Sequence, residues 1–426
     1  MEFLLMEPML IFLFALLIVL ILTTYVRLHP FLSLVITSLL IGIMAGRPEE
    51  ALNTMSFGMG KVFAQFAIII TAGSILGIVL EKTGGMDVIA SDLIRVSKRP
   101  LLALNILGFL FAVPFMCSIL AYVVFAPLAK DFSLKLKIPA GIPATSLVLG
   151  TLASFGLLYP SPVVLSAASE MHADIAKVFF IGLMIAFPIS LLGYRYASRS
   201  TKIKEHDYVL QAESLQKASK SRLAAYLPIG LPILLILAGT FLTHPLISFI
   251  GNPNVALLIG VLLCLVLSRS YGKELHEWVE KAIRRSGIVL LDLCAGGALG
   301  ATFTMTGAGE ALGKMFLDLA FPALLIPFLV AVAVQTVQGS RVVTMLIAPA
   351  LIIPILPQLG LPVEISLLSM ACGTFLISHV NDPFFWIFRD LAELETSEAL
   401  RYYTFGGILM GLTGLLLLGC VYWIAF

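Results

Sequence analysis

Ser378-His379-Val380-Asn381-Asp382 sets a histidine and a carboxylate three residues apart, beside an amide, inside an apolar segment. Ionisable groups at membrane depth are expensive and rarely idle. A histidine titrates near neutral pH without a large shift, so His379 or Asp382 can carry a proton while Asn381 bonds a hydroxyl. The same residues can instead form a capping cluster that holds a helix break together. Upstream, Gln338-Gly339-Ser340-Arg341 interrupts another apolar run. Glycine permits close backbone approach, and Gln338 and Ser340 offer donors to a carboxylate or hydroxyl; turn chemistry alone is the plainer account. Arg341 can bind a carboxylate through two parallel hydrogen bonds, snorkel to an interface, or pair with Asp382 or Asp292. Phe115-Met116-Cys117-Ser118 and Tyr159-Pro160-Ser161-Pro162 are matching interruptions earlier in the chain. There Ser118 and Ser161 either contact a ligand or pack. Asp292 is a lone carboxylate in a helix whose role stays open, and Glu170 reads as interfacial.

The elements that carry these residues must lie in a membrane. Of 426 residues, 27 are basic and 25 acidic, 12% in all, against 59% hydrophobic. Mean hydropathy is +1.03. A soluble domain carries about 25% charge, so a soluble enzyme, a nucleic-acid binder and a disordered chain are excluded. The five cysteines stand far apart in apolar runs, without metal or redox spacing, and read as small buried residues. Met9–Tyr25 is too long for a signal-peptide core and lacks a basic start, so it reads as a retained first helix.

Spans are expected at 8–26, 31–46, 62–80, 174–197, 225–249, 254–269, 286–303 and 403–425. Two regions in each half are broken: 101–129 and 139–170, then 322–357 and 362–388. Ala72–Gly77 with Thr83-Gly84-Gly85 parallels Ala295–Gly300 with Thr306-Gly307-Ala308 at an offset of 223 residues. Gly150-Thr151 and Gly373-Thr374 keep that offset, as do Ile138-Pro139 and Leu361-Pro362. Residues 1–198 therefore read as one repeat, 199–222 as a linker and 223–426 as a second repeat. The linker holds six basic and three acidic residues, which places it in the cytoplasm. Treating 101–129 and 322–357 as re-entrant hairpins keeps the flanking lysines and arginines inside. Each repeat then crosses five times, an odd number. The expected fold is an all-α polytopic membrane protein of two inverted repeats with re-entrant hairpins and broken helices, both termini outside. Inverted repeats with paired broken helices point to a secondary transporter with a midplane site. Freed backbone groups are tolerated where they line a wet cavity, and half-helix N-termini favour an anion.

The motifs Ser378–Asp382 followed by Phe385-Trp386, Val337–Ser340 leading to Thr344, Leu299–Gly309, and Ala167–Glu170 followed by Ile181-Gly182-Leu183 together resemble the gluconate permease family of proton symporters, within the ion-transporter superfamily. The resemblance runs through most of the chain. It implies import of gluconate or a related sugar or hydroxy acid with protons across the cell membrane. It also implies a homodimer with a scaffold and a moving transport domain. Gln338, Gly339, Ser340, Asn381, Ser118 and Ser161, with Arg341 on its own chemistry, are the candidate substrate residues, and His379 and Asp382 the proton-coupling ones. The sequence departs from the family where Arg341 replaces a small residue, where Pro383-Phe384 stands, and at the first proline-rich break, which lacks a histidine.

No cofactor, metal or nucleic-acid partner is expected; the partners are the bilayer and a small organic anion, and the coupling ion is H+ or, in a rival reading, Na+. His276–Glu280 starts like a zinc motif but ends in Glu, and the stretch around Gly313-Lys314 lacks the glycine and hydroxyl of a phosphate loop. The rivals are a sodium-coupled dicarboxylate carrier of the same architecture, an intramembrane enzyme using Ser340 and His379, and a non-transporting scaffold.

Overall fold

The computed structural model describes residues 7–26, 28–89, 92, 99–199, 221–242, 244–311, 315, 321–379 and 382–425. The described residues form helices and connecting turns. Proline supplies several helix starts, because its missing N–H is one that no helical carbonyl would accept. Such starts open α1 (Pro8–Leu20), α2 (Pro30–Met44), α3 (Pro48–Lys82), α4 (Pro100–Ala112), α7 (Pro162–Met171), α10 (Pro253–Leu267) and α15 (Pro383–Leu391). The others are α5 (Ser118–Leu136), α6 (Gly141–Leu157), α8 (Ile175–Arg199), α9 (Arg222–Phe241), α11 (Lys273–Thr306), α12 (Leu325–Gln338), α13 (Arg341–Ile352), α14 (Val363–Gly373) and α16 (Phe405–Ala425).

Among the described residues, seven helical segments are long and apolar enough to cross a membrane, and shorter apolar helices accompany them. The protein is thus an all-helical, multi-pass membrane protein. Two segments outrun the expected spans. The stretch expected at 62–80 belongs to a 35-residue helix, and that at 286–303 to one of 34 residues. Each is roughly 50 Å long, well beyond the ~30 Å hydrocarbon core. Polar residues such as Glu49, Glu50, Glu274 and Glu277 lower the hydropathy of the first turns but do not stop the helix. The region expected as one span over 225–249 instead divides into α9 and a separate short helix, Pro245–Ile250.

The long helices α3 and α11 pack antiparallel along much of their length, with the Thr71 and Ser286 hydroxyls 3.2 Å apart and Ser74 donating to the Ala282 carbonyl at 3.1 Å. Helices α2 and α10 flank them. A second group packs α6 between α4 and α8, and α14 against α12 and α16. Within the segment of α6 and α7, 94% of the apolar window is buried, against 28% for α9 and for the α16 segment. The segment of α6 and α7 therefore lies at the centre and α9 and α16 at the rim, with the long helices α3 and α11 between them at 67% and 61%.

Two helical hairpins and two interrupted helices stand out. Helices α4 and α5 meet at a tip, Val113–Cys117, and α12 and α13 meet at Gly339-Ser340. The chain breaks between α6 and α7 at Leu158–Ser161, and again between the end of α14 at Gly373 and the start of α15 at Pro383. Each hairpin lies against a long helix at a glycine, the first at its tip and the second on its second arm. A Cβ on Gly73 would come within 2.9 Å of Met116 Cγ, and one on Gly296 within 2.7 Å of Val343 Cγ1. These glycines belong to the two Gly-rich stretches at the 223-residue offset.

Candidate functional site

Both hairpin tips and both breaks converge on one cavity of about 180 Å³. The first tip contributes Met116, Cys117, Ser118 and Ile119, and the first broken helix Phe155 and Pro162. The second tip contributes Ser340, Arg341, Val342 and Val343, and the second break Asp382, Pro383 and Phe384. Pro30 of α2, Ile70 of α3 and Val289, Asp292 and Leu293 of α11 close the remaining wall. The volume exceeds many times the ~10–15 Å³ that one water needs.

The second tip is built for close approach. Gly339 takes φ +81° and ends α12, a left-handed conformation that side chains resist. Its N–H donates to the Gln335 carbonyl at 2.9 Å, and its own carbonyl accepts from Gln335 Nε2 at 2.6 Å. Thr344 Oγ1 donates to Gln335 Oε1 at 2.7 Å, which ties the two arms together. Ser340 is the N-cap residue of α13 and Arg341 its first helical residue.

Arg341 is 5% exposed and Asp382 3%. The guanidinium Nη1 donates to Asp382 Oδ2 at 3.1 Å and to the Tyr403 hydroxyl at 3.2 Å, and Nη2 donates to Ser378 Oγ at 2.8 Å. The Tyr403 O–H donates to the same Asp382 Oδ2 at 2.7 Å. Asp382 Oδ1 accepts the Phe384 N–H at 2.8 Å, capping α15. The guanidinium carbon lies 5.7 Å from the Phe375 ring centre and 5.9 Å from that of Tyr403, within cation–π range. A buried ion pair survives when its remaining donors and acceptors are met. Here Nη1 and Nη2 both find acceptors, whereas Arg341 Nε is buried with none.

Of the expected site residues, Ser118, Ser340, Arg341 and Asp382 line the cavity together. Arg341 does not snorkel; it is buried and paired with Asp382, while still forming part of the cavity wall. Ser161 is buried and caps α7, accepting the Val164 N–H at 3.3 Å. His379 is half-buried in the break, and its carbonyl accepts the Asp382 N–H at 2.9 Å. Asn381 and the side chain of Gln338 lie outside the described residues. Asp292 stands 3.5 Å from His29 Nδ1, the N-cap of α2. Glu170 pairs with Lys61 of α3 at 2.5 Å.

Sequence reasoning missed Tyr403, Gln335 and His29. Tyr403 sits beside Tyr402 in a run with no polar pattern, 62 residues from the arginine it bonds, so nothing local marks it. Among the described residues no three His, Cys, Asp or Glu side chains stand close enough to hold a metal ion.

A family model described as the GntP family permease matches residues 7–423. The chain belongs to that permease family. The family is one of transporters, not of enzymes. Relatives of GntP type include the inner membrane permease YgbN of Escherichia coli K12, 29% identical over 93% of this chain and 94% of that protein. The low-affinity gluconate transporter of the same organism is 27% identical over 91% and 92%. The gluconate permease of Zymomonas mobilis is 27% identical over 92% of each. The fold is shared with the YdaH transporter of Alcanivorax borkumensis, at a TM-score of 0.61 and 16% identity over 99% of each chain. MtrF of Neisseria gonorrhoeae, from a class of antimetabolite efflux pumps, superposes with a TM-score of 0.59 at 16% identity over 98% and 95%.

Proposed function

We propose that this GntP permease is a proton symporter that imports gluconate or a related sugar or hydroxy acid across the cell membrane. The acid sits between the two hairpin tips and the two breaks, and protonation of Asp382 or His379 accompanies its binding. The single observation that carries this reading is the buried guanidinium of Arg341 on the wall of a cavity into which Ser118 and Ser340 also open. That group suits a carboxylate.

The hairpins are read as re-entrant, and residues 1–198 and 223–426 as inverted repeats about the linker 199–222. The length of each hairpin's first arm supports this. Helices α4 and α12 have 13 and 14 residues, roughly 20 Å each, too short to cross alone. A central group of broken helices packed beside the long pair α3 and α11 suits alternating access by an elevator-like movement, in a homodimer. The linker is placed in the cytoplasm and both termini outside by charge alone.

A thermal-shift screen of the purified protein against sugar acids, hydroxy acids and dicarboxylates tests the reading. Stabilisation by gluconate-type acids is the expected result. Stabilisation by dicarboxylates alone, and only with sodium present, would replace it with a sodium-coupled carrier of the same architecture.

A further inference from the structure

We propose that Asp382 is a resident stand-in for the substrate's carboxylate. The two compete for the one guanidinium of Arg341, and a proton on Asp382 decides between them. The proposal rests on the transport reading above and specifies how its site discriminates.

Arg341 is held from every side, between Phe375 and Tyr403 and by bonds to Ser378, Tyr403 and Asp382. It cannot leave to find an anion, so the anion must come to it. Its Nε is buried without an acceptor, which leaves one donor of the fork unused while Asp382 takes another. With Asp382 ionised the pair sums to zero. A substrate carboxylate added to that arrangement leaves a net negative charge in a buried site, which low dielectric penalises. Protonated Asp382 brings the sum back to zero.

The proton comes from water and adds at Oδ2, where the Arg341 and Tyr403 bonds end. Arg341 Nη1 is then released to the incoming carboxylate, and no covalent bond other than O–H forms. Oδ1 keeps the Phe384 N–H, so the cap of α15 outlasts the exchange. Tyr403 is a positioning residue: its one hydroxyl accepts from Arg341 and donates to Asp382.

The titratable and charged groups around Asp382 are few. Arg341 faces it from α13 and Tyr403 from the turn before α16, with His379 three residues earlier on its own segment. Tyr122 of α5 packs on Phe384 but directs its hydroxyl to the Phe388 carbonyl. Asp292, 3.5 Å from His29 Nδ1, forms part of the cavity's other wall. With Asp382 protonated its carboxyl is neutral and Arg341 is available. With Asp382 ionised it holds the arginine, so binding of the acid is linked to uptake of one proton. A singly charged acid entering with one proton keeps the site neutral, whereas a dicarboxylate does not.

The test is calorimetric titration of the full-length protein in detergent with gluconate, glycerate, succinate and the uncharged gluconamide, from about pH 5 to about pH 8. For wild type, affinity for the monocarboxylates should fall by up to about tenfold per pH unit, as one linked proton requires. Asp382→Asn keeps a good helix cap and should bind the monocarboxylates at every pH as tightly as wild type does at the acid end. Tyr403→Phe should still bind but move the pH at which affinity falls, which a merely structural role would not do. Asp382→Asn with the wild-type slope, or with weaker binding than wild type at the alkaline end, overturns the exchange. If Asp382→Asn does not fold, a pH-independent wild-type affinity, or an unmoved profile in Tyr403→Phe, overturns it equally. Failure of wild type to bind any of the acids at any pH overturns the transport reading itself.

Discussion

The two hairpin tips share a backbone and differ in chemistry. Met116 and Gly339 both take left-handed φ, at 50° and 81°, and they stand 223 residues apart. Each is followed by an extended N-cap, Cys117 or Ser340, and then by the first helical residue, Ser118 or Arg341. At the breaks, Ser161 and Asp382 both precede a proline and cap the next helix. Yet the first half presents serine, cysteine and phenylalanine to the cavity, while the second presents Arg341 and Asp382, with Asp292 on the second long helix. Phe155 and Ser378 occupy the same offset, and only Ser378 bonds the guanidinium. A duplicated scaffold thus supplies symmetric geometry, and one half supplies the charge.

Making the second half resemble the first should have the largest effect. Arg341→Ser, which copies Ser118, should abolish uptake and leave Asp382 buried and unpaired, lowering stability by about 3–5 kcal/mol. Uptake assays and thermal unfolding report the two effects. Adding Asp382→Asn should recover stability but not uptake; recovery of both would show that the charged half is dispensable.

The shared scaffold is tested next. Gly73→Val and Gly296→Val should each destabilise by about 1–3 kcal/mol through overpacking against a hairpin, seen in unfolding midpoints. A large effect in one half only would break the symmetry of the account. Ser161→Ala should lose a helix cap, about 1 kcal/mol in stability, with the order of preferred acids unchanged in a competition assay. The smallest effect is expected at Ser118→Ala. Loss of one neutral hydrogen bond to substrate is about 1 kcal/mol at most, so KM should rise by no more than about fivefold. A larger change would mean that the first tip shares the chemistry.

Much of this was legible in the sequence because breaks in apolar runs are conspicuous. Pro114, Pro160, Gly339 and Pro383 marked the four interruptions, and Arg341 with Asp382 stood out because charge is scarce. The pairing of Arg341 with Asp382 was one of several arrangements the sequence allowed, since spacing of 41 residues carries no distance information. Tyr403 was invisible because a tyrosine in an aromatic membrane segment looks like packing until its hydroxyl is placed. The lengths of α3 and α11 were underestimated because hydropathy tracks the membrane and not the helix. Both helices run on into polar sequence that has no breaker to stop them.

The most direct measurement of the central claim is uptake of radiolabelled gluconate into proteoliposomes under an imposed pH gradient or an imposed sodium gradient, for wild type and Arg341→Ser. The account predicts accumulation in wild type with acid outside, none in Arg341→Ser, and no stimulation by sodium. Accumulation driven by sodium and indifferent to pH, or undiminished in Arg341→Ser, would contradict it.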